Sequence, residues 1–572
     1  MIDLAGKPFY LEQDGIGWVR QTLAGMDAEA KIGQLFCLLG RQPDTGALEE
    51  VLRLLQPGAY MFRPRPSAEI RSCHKFLQDR CQIPLLLAAN LERGGKGIAS
   101  DGTEFASPMQ VAATDDERMA WRLGLVCGRE AHAVGCNWSF APDVDLDFNF
   151  QNPITNTRTF GSDPERVVRM ARAYMKGIQE SGIAATLKHW PGDGVDGRDQ
   201  HLLTSVNGLS VPDWERTYGR VYRELIDAGA NAVMSAHIML PAYSRELVPG
   251  IRDEQLMPAS LSPELMTGLL RGRLGFNGLI ATDATNMAGF TMLMPRERAV
   301  PFAIAAGNDM FLFTVNLAED VEFMREGLRR GILSQERLDE AVTRILALKA
   351  SLHLPQRRRD GALIPPESAV SVLNCAEHRE WASECADKAI TLVKDTQRLL
   401  PLSPEKHKRI LLYVLGDVGG YLDTSSGTAT AAFVQRLASA GFEVTRHDYS
   451  ATDAAAQIKT ATTPVRELQA RFDLILYLAS IKTASNQTTV RITWAQPMGS
   501  DCPKFTSDVP TLFISIDNPY HLQDVPRVRT FINGYTGTAE VVNATVDKLL
   551  GISDFKGISP IDPFCGYWEA RL

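Results

Sequence analysis

No CxxC pair, no HExxH segment and no run of about 18 apolar residues occurs in the 572-residue chain. The last of these absences argues against a membrane-spanning helix. The N-terminal stretch MIDLAGKPFYLEQDG has neither a basic start nor an apolar core, so no signal peptide is expected and the expected location is cytoplasmic. Cysteine is sparse and odd in number, nine residues from Cys37 to Cys565. They are expected as buried free thiols in a reducing compartment rather than as a disulfide framework. Positive charge is not in excess. The net charge of −8 argues against a nucleic-acid or anionic-membrane partner and suits an enzyme with a neutral substrate. No internal repeat and no low-complexity tract stands out.

What remains is an ordinary globular mixture, 45% apolar and 22% charged, long enough for two to four domains. Short apolar runs in the first 350 residues read as buried strands: Ile32–Leu39, Ala59–Phe62, Pro84–Ala89 and Asn137–Val144, followed by Ala184–His189, Ala232–Met239, Gly278–Thr282 and Asp309–Phe313. Amphipathic helices separate several of them. Ser162 and Glu165 form a capping box before a stripe of Val167, Met170, Tyr174 and Ile178 that stops at Gly182. A second helix is expected from about Pro212 to Ala228, and a third from Thr114 with Glu117 in its box.

Eight buried strands alternating with helices point to an α/β class with an N-terminal (β/α)8 barrel over residues 1–350. A doubly wound open sheet competes, but no glycine-rich dinucleotide fingerprint follows the first strand. The polar, basic and proline-containing segment 351–380, with Arg357–Arg359, reads as a linker on the surface. Residues 381–572 read as a smaller α/β sandwich domain, with strands at Ile410–Leu415, Leu474–Leu478, Leu512–Ile516 and Thr530–Asn533 and a helix from Thr428 to Ala440.

A barrel of this kind places its chemistry where strands end. The predicted strand ends carry Asn90 and Glu92, Asp143, Asp145 and Asp147, Lys188 and His189, His237, and Asp283. Such a convergence costs folding free energy unless the groups are paired, so it marks a rim site. Each has a plainer reading: an aspartate after a strand caps the next helix, and His237 also fits a satisfied core histidine. The loop after His189 presents Asp193, Asp196, Asp199 and His201. In extended backbone, residues two apart point the same way, so Asp199 can hold one imidazole nitrogen of His201 and raise the basicity of the other. That suits a general acid/base near neutral pH, and it also suits a purely structural hydrogen bond. A zinc reading of His189, His201, His237 and the aspartates lacks both HxH after the first strand and HExxH.

The segment KHWPGDGVDGRDQH, residues 188–201, resembles the motif KH(F/W)PGxGxxxxDxH of glycoside hydrolase family 3, in its β-N-acetylglucosaminidase branch, with every spacing intact. NPITNTRTFGSDPERV (152–167), GFNGLIATDATNMAG (275–289), AAGNDMFLF (305–313) and IGQLF (32–36) are similar to further segments of that family. The resemblance implies a retaining exo-β-N-acetylglucosaminidase that releases N-acetylglucosamine from β-linked glycosides. Asp283 would be the nucleophile and His201 the acid/base, held by Asp199. Lys188, His189 and Arg158 would be ligands for sugar hydroxyls, with Asn90 at a further substrate position. No cofactor and no metal are implied. A phosphorolytic relative, a family 3 β-glucosidase and a non-catalytic sugar-binding protein are the alternatives. Two departures stand out: Asn90 lies where the family has the aspartate of DQEGGRV, and Asp193 replaces a common histidine. The second domain has three candidate roles: completing the pocket, forming a homodimer, or packing on the barrel.

Overall fold

Runs of β-branched and aliphatic residues with no polar interruption bury both faces of a strand, which suits a parallel sheet covered by helices. The computed structural model describes residues 2–416, 427–450, 458, 462–496 and 499–572. Eight barrel strands fall in the first part, beside a short two-stranded ladder of Ser205–Val206 with Ile238–Met239: β1 Phe36–Gly40, β2 Ala59–Phe62, β3 Leu86–Ala89, β4 Trp138–Ser139, β5 Thr186–Trp190, β6 Ala232–Ser235, β7 Leu279–Thr282 and β8 Phe311–Leu312. Parallel ladders join β8-β1-β2-β3-β4 and β5-β6-β7. Parallel bridges Trp138–Ala184 and Ala281–Met310 link the two sheets, so the eight strands close a ring. The open doubly wound alternative is thereby excluded.

The helix Pro164–Gln179 buries Val167, Met170, Tyr174 and Ile178 as expected, but its cap is Asp163, whose carboxylate accepts from the Glu165 N–H, and not Ser162. Gly182 ends the turn at φ +74°. Thr114 does not open a helix. It closes the short helix Pro108–Ala113, and the longer helix runs Glu117–Ala133. Ile32 belongs to the helix Ala28–Gln34, capped by Asp27, so β1 begins only at Phe36. Arg357–Arg359 end a helical turn, Leu354–Arg359, and Arg358 donates to the Gln78 carbonyl at 3.0 Å. Arg357 likewise donates to the Ala362 carbonyl at 3.2 Å, while Arg359 stays exposed.

The chain divides into two units. The first comprises Met1–Phe105, Ala120–Thr155 and Ser162–Arg379 and contains the barrel; the second comprises Ala106–Met119, Asn156–Gly161 and Glu380–Leu572. In the second unit, β9 Thr391–Asp395, β10 Arg409–Gly416, β11 Glu443–Arg446, β12 Leu474–Ser480, β13 Thr511–Ser515 and β14 Thr530–Asn533 form one sheet in the order β9-β14-β13-β12-β10-β11. All its pairs are parallel except β9 with β14. Two of these strands, β9 and the polar β11, carry no apolar run and escape the sequence reading. Leu412, Leu476, Ile514 and Ile532 pack one side of the sheet against Phe433 and Leu437 of the helix Thr428–Ser439. None of the nine cysteines is disulfide-bonded, and six are buried. Among the described residues, no helix is long and apolar enough to cross a membrane.

Candidate active site

The site is built at the C-terminal ends of the barrel strands. β5 delivers Lys188 and His189 and runs into the loop 191–201. Two glycines shape that loop. Gly192 and Gly194 have φ of +120° and +103°, and a side chain on Gly194 would meet the Leu146 carbonyl oxygen at 1.9 Å. Only glycine fits both the backbone conformation and the space.

Lys188 donates from Nζ to Glu92 Oε1 at 2.5 Å, with the lysine side chain 4% and the glutamate 14% exposed. A buried ammonium needs such a partner, because an unpaired one would be costly. His189 Nδ1 lies 2.7 Å from Asp145 Oδ2, and the other oxygen of Asp145 accepts the N–H groups of His189 at 3.1 Å and Asp193 at 2.7 Å. Asp143, Asp145 and His189 are the one group among the described residues that could hold a metal ion. Both Asp145 oxygens are engaged by N–H donors, and its separation from Nδ1 is that of a shared proton, so the arrangement suits an imidazole orienter better than an ion.

Asp199 and His201 form the expected pair. His201 Nδ1 lies 2.7 Å from Asp199 Oδ1, which also accepts the His201 N–H at 2.8 Å. The Asp199 side chain is fully buried and that of His201 is 24% exposed, so the carboxylate is hidden and the imidazole is open to a substrate. With Nδ1 turned to the carboxylate, Nε2 is the nitrogen left for another partner.

Asp283 follows β7. Its N–H donates to the Ser235 carbonyl at 2.7 Å, and its Oδ1 accepts the N–H of Ala284 at 2.7 Å. Burial pushes its carboxyl up, but His189 first, then His237, His201 and the Ala284 amide, outweigh it and hold the group below the usual carboxylate range. His237 sits behind, with Nε2 3.0 Å from the Ala284 carbonyl and Nδ1 2.9 Å from Ser260 Oγ. A carbonyl can only accept, so Nε2 carries the proton and Nδ1 takes the serine hydroxyl. Burial pushes this imidazole down, toward that neutral form. The core-histidine reading of His237 and its place at the rim both hold.

The backbone ties the two reactive loops together. The Ala288 N–H donates to the His201 carbonyl at 3.0 Å, and Thr204 Oγ1 donates to the Gly289 carbonyl at 2.8 Å. Asn90 is half-buried just after β3. Arg158 ends the 3-10 turn Asn156–Arg158, which belongs to the second unit. Asp193 is 2% exposed and accepts from Asn152 Nδ2 at 2.8 Å and the Gly194 N–H at 2.7 Å. Burial, then Asp145, push its carboxyl well above the usual range. Sequence reading marked Glu92 and Asp145 only as strand-end residues. Their acidity after an apolar run was the available signal, but their partners were not visible.

A closed parallel barrel with a carboxylate, a histidine–aspartate pair and a lysine on one rim defines the class of barrel glycosidases. The model of the Glycosyl hydrolase family 3 N terminal domain matches residues 50–348, and the chain belongs to that family. It is 48% identical over 573 residues, covering all of both chains, to a protein of Cellulomonas fimi named beta-N-acetylglucosaminidase/beta-glucosidase. Among solved structures it is similar to the beta-glucoside phosphorylase BglX, with a TM-score of 0.93, 48% identity and 99% of both chains covered. It shares its fold with a glycoside hydrolase family 3 beta-N-acetylglucosaminidase from Paenibacillus sp., with a TM-score of 0.80 and 24% identity over 94% of this chain and 99% of that one.

Proposed function

We propose that this glycosidase acts on β-linked N-acetylglucosaminides with retention of configuration, with Asp283 as nucleophile and the Asp199–His201 pair as acid/base. The observation that carries the reading is a carboxylate held anionic beside an open imidazole whose other nitrogen is fixed by a buried aspartate. In the first step an Asp283 oxygen bonds to the anomeric carbon as the bond to the leaving oxygen breaks. His201, as imidazolium, gives that oxygen its proton from Nε2. Neutral His201 then takes a proton from water, whose oxygen displaces Asp283 and restores the β-configured sugar. Lys188 and His189 are assigned to sugar hydroxyls, and Asn90 and Arg158 are carried as ligands by the motif match alone. A slow fluorinated glycoside should label the enzyme on the peptide containing Asp283, read by mass spectrometry. Label on any other peptide sinks the assignment.

The name of the Cellulomonas fimi relative leaves the sugar at two choices, N-acetylglucosamine and glucose. Nitrophenyl glycosides of both separate them: a larger kcat/KM on the glucoside overturns the N-acetylglucosaminide. A second reading, phosphate in place of water, is favoured by the dyad and by the likeness to a phosphorylase. After the first step a neutral imidazole, unlike a carboxylate, does not repel an anion. A phosphate oxygen would then bond to the anomeric carbon as the bond to Asp283 breaks. Phosphorus and proton NMR in phosphate buffer decide it: a sugar 1-phosphate signal establishes phosphorolysis, and free sugar alone in the proton spectrum establishes hydrolysis. The unbridged cysteines support a reducing, cytoplasmic location, which cell fractionation tests.

A further inference from the structure

Between Asp199 and His201 stands Gln200, fully buried. Its Oε1 accepts the backbone N–H of His237 at 3.1 Å, and its Nε2 donates to Asp193 Oδ2 at 3.3 Å. The orientation of the amide is forced, because a backbone N–H can only donate and so must face the oxygen. Gln200 thereby pins the middle of the dyad to two other places on the barrel rim. One is the end of β6, where His237 packs against the Asp283 loop through the Ala284 carbonyl. The other is Asp193, itself fixed by Asn152 and by the Gly194 and Asp145 contacts. From the opposite side, a side chain on Gly289 would meet the Gln200 carbonyl oxygen at 2.4 Å, so the nucleophile loop closes directly on this residue's backbone.

We propose that Gln200 is a positioning residue: its side-chain amide sets the height of His201 Nε2 above the anomeric centre by latching the dyad loop to His237 and Asp193. It touches no substrate and moves no proton. The latch also gives the Asp193 departure a purpose, since a carboxyl there supplies the acceptor that the Gln200 amide needs. The two hydrogen bonds are buried, so losing them leaves two polar groups without partners and lets the loop shift. A shift of about 1 Å at a proton donor can cost roughly a hundredfold in rate.

This proposal rests on the dyad reading above, and the test separates the two. The measurement is kcat/KM on phenyl and on 2,4-dinitrophenyl N-acetyl-β-glucosaminides for wild type, Gln200→Met and His201→Ala. The phenolate needs a proton to leave and the dinitrophenolate does not, so a misplaced acid harms only the first. For Gln200→Met the ratio of the dinitrophenyl to the phenyl value should rise by about tenfold to a hundredfold over wild type. Being a ratio within one variant, it does not depend on how much of the protein folds. An unchanged ratio in Gln200→Met beside a raised ratio in His201→Ala overturns the latch alone. An unchanged ratio in both overturns the dyad assignment and the latch with it.

Discussion

Asp283 and Asp309 lie at opposite ends of adjacent barrel strands and share one electrostatic device with different parts. Asp309 precedes β8 and is fully buried. Its Oδ2 takes Arg271 at 2.6 Å and the Ile280 N–H at 2.9 Å, its Oδ1 takes Arg337 at 2.6 Å, and Arg344 stands 3.7 Å away. Burial works against its ionisation, but Arg271, Arg344 and Arg337 hold its carboxyl below the usual range. Burial pulls the Arg271 guanidinium down to about 9, which still leaves it charged at neutral pH. Asp283 follows β7, is only half-buried, and is held down by imidazoles and one amide. Two guanidinium groups and the Ile280 N–H occupy its oxygens, and the guanidinium groups keep their charge, so Asp309 is a staple. Imidazoles stand back and can lose their charge, so Asp283 stays ionised yet uncovered, which is what a nucleophile requires.

The comparison breaks first on exchange of each carboxylate for an amide. Asp283→Asn should lower kcat/KM by about four orders of magnitude or more while the thermal melt holds. A near wild-type rate would remove Asp283 from the mechanism. Asp309→Asn should do the reverse, costing about 3–5 kcal/mol in chemical denaturation because three guanidinium groups lose their anion, with the rate per folded molecule kept. Since Asp309's folded pKa is depressed, its stabilising contribution is present above the unfolded value of about 3.9 and is lost as pH falls through the folded one. Acid unfolding should therefore be shallower in the variant, and an equally steep curve would show that Asp309 contributes nothing. The smallest expected effect sharpens the imidazole side. The acid limb of kcat/KM should lie below the ordinary carboxylate range, and Asp145→Asn should raise it toward that range. Without the Asp145 anion, His189 holds less charge and Asp283 gains its proton more readily. An unmoved acid limb would mean that the Asp145–His189 pair does not help to keep Asp283 ionised.

Legibility followed how local the cause was. β2 and β14 run over the residues expected, because an apolar run bounded by polar residues leaves little choice of face. β11, with the burial of its four residues ranging from exposed to intermediate, forms because β10 offers it an edge, a cause lying some thirty residues away. The helix cap fell one residue late where two capping residues stand in a row, at Ser162 and Asp163, since only the backbone conformation chooses between them.

The site divides in the same way. Asp283, Asp199 and His201 were open to reading because strand ends and a two-residue spacing are properties of contiguous chain. Those local patterns determined the eight-stranded alternation, the rim as the seat of chemistry and the resemblance to a glycosidase family. Tertiary structure alone decided that Glu92 neutralises Lys188 across 96 residues, that Asp145 takes His189, and that Gln200 reaches His237 and Asp193. The first two depend on β4 meeting β5 at Trp138–Ala184 and the third on the β5–β6 ladder, and a bond between strands distant in sequence has no signature in the short stretches that form them.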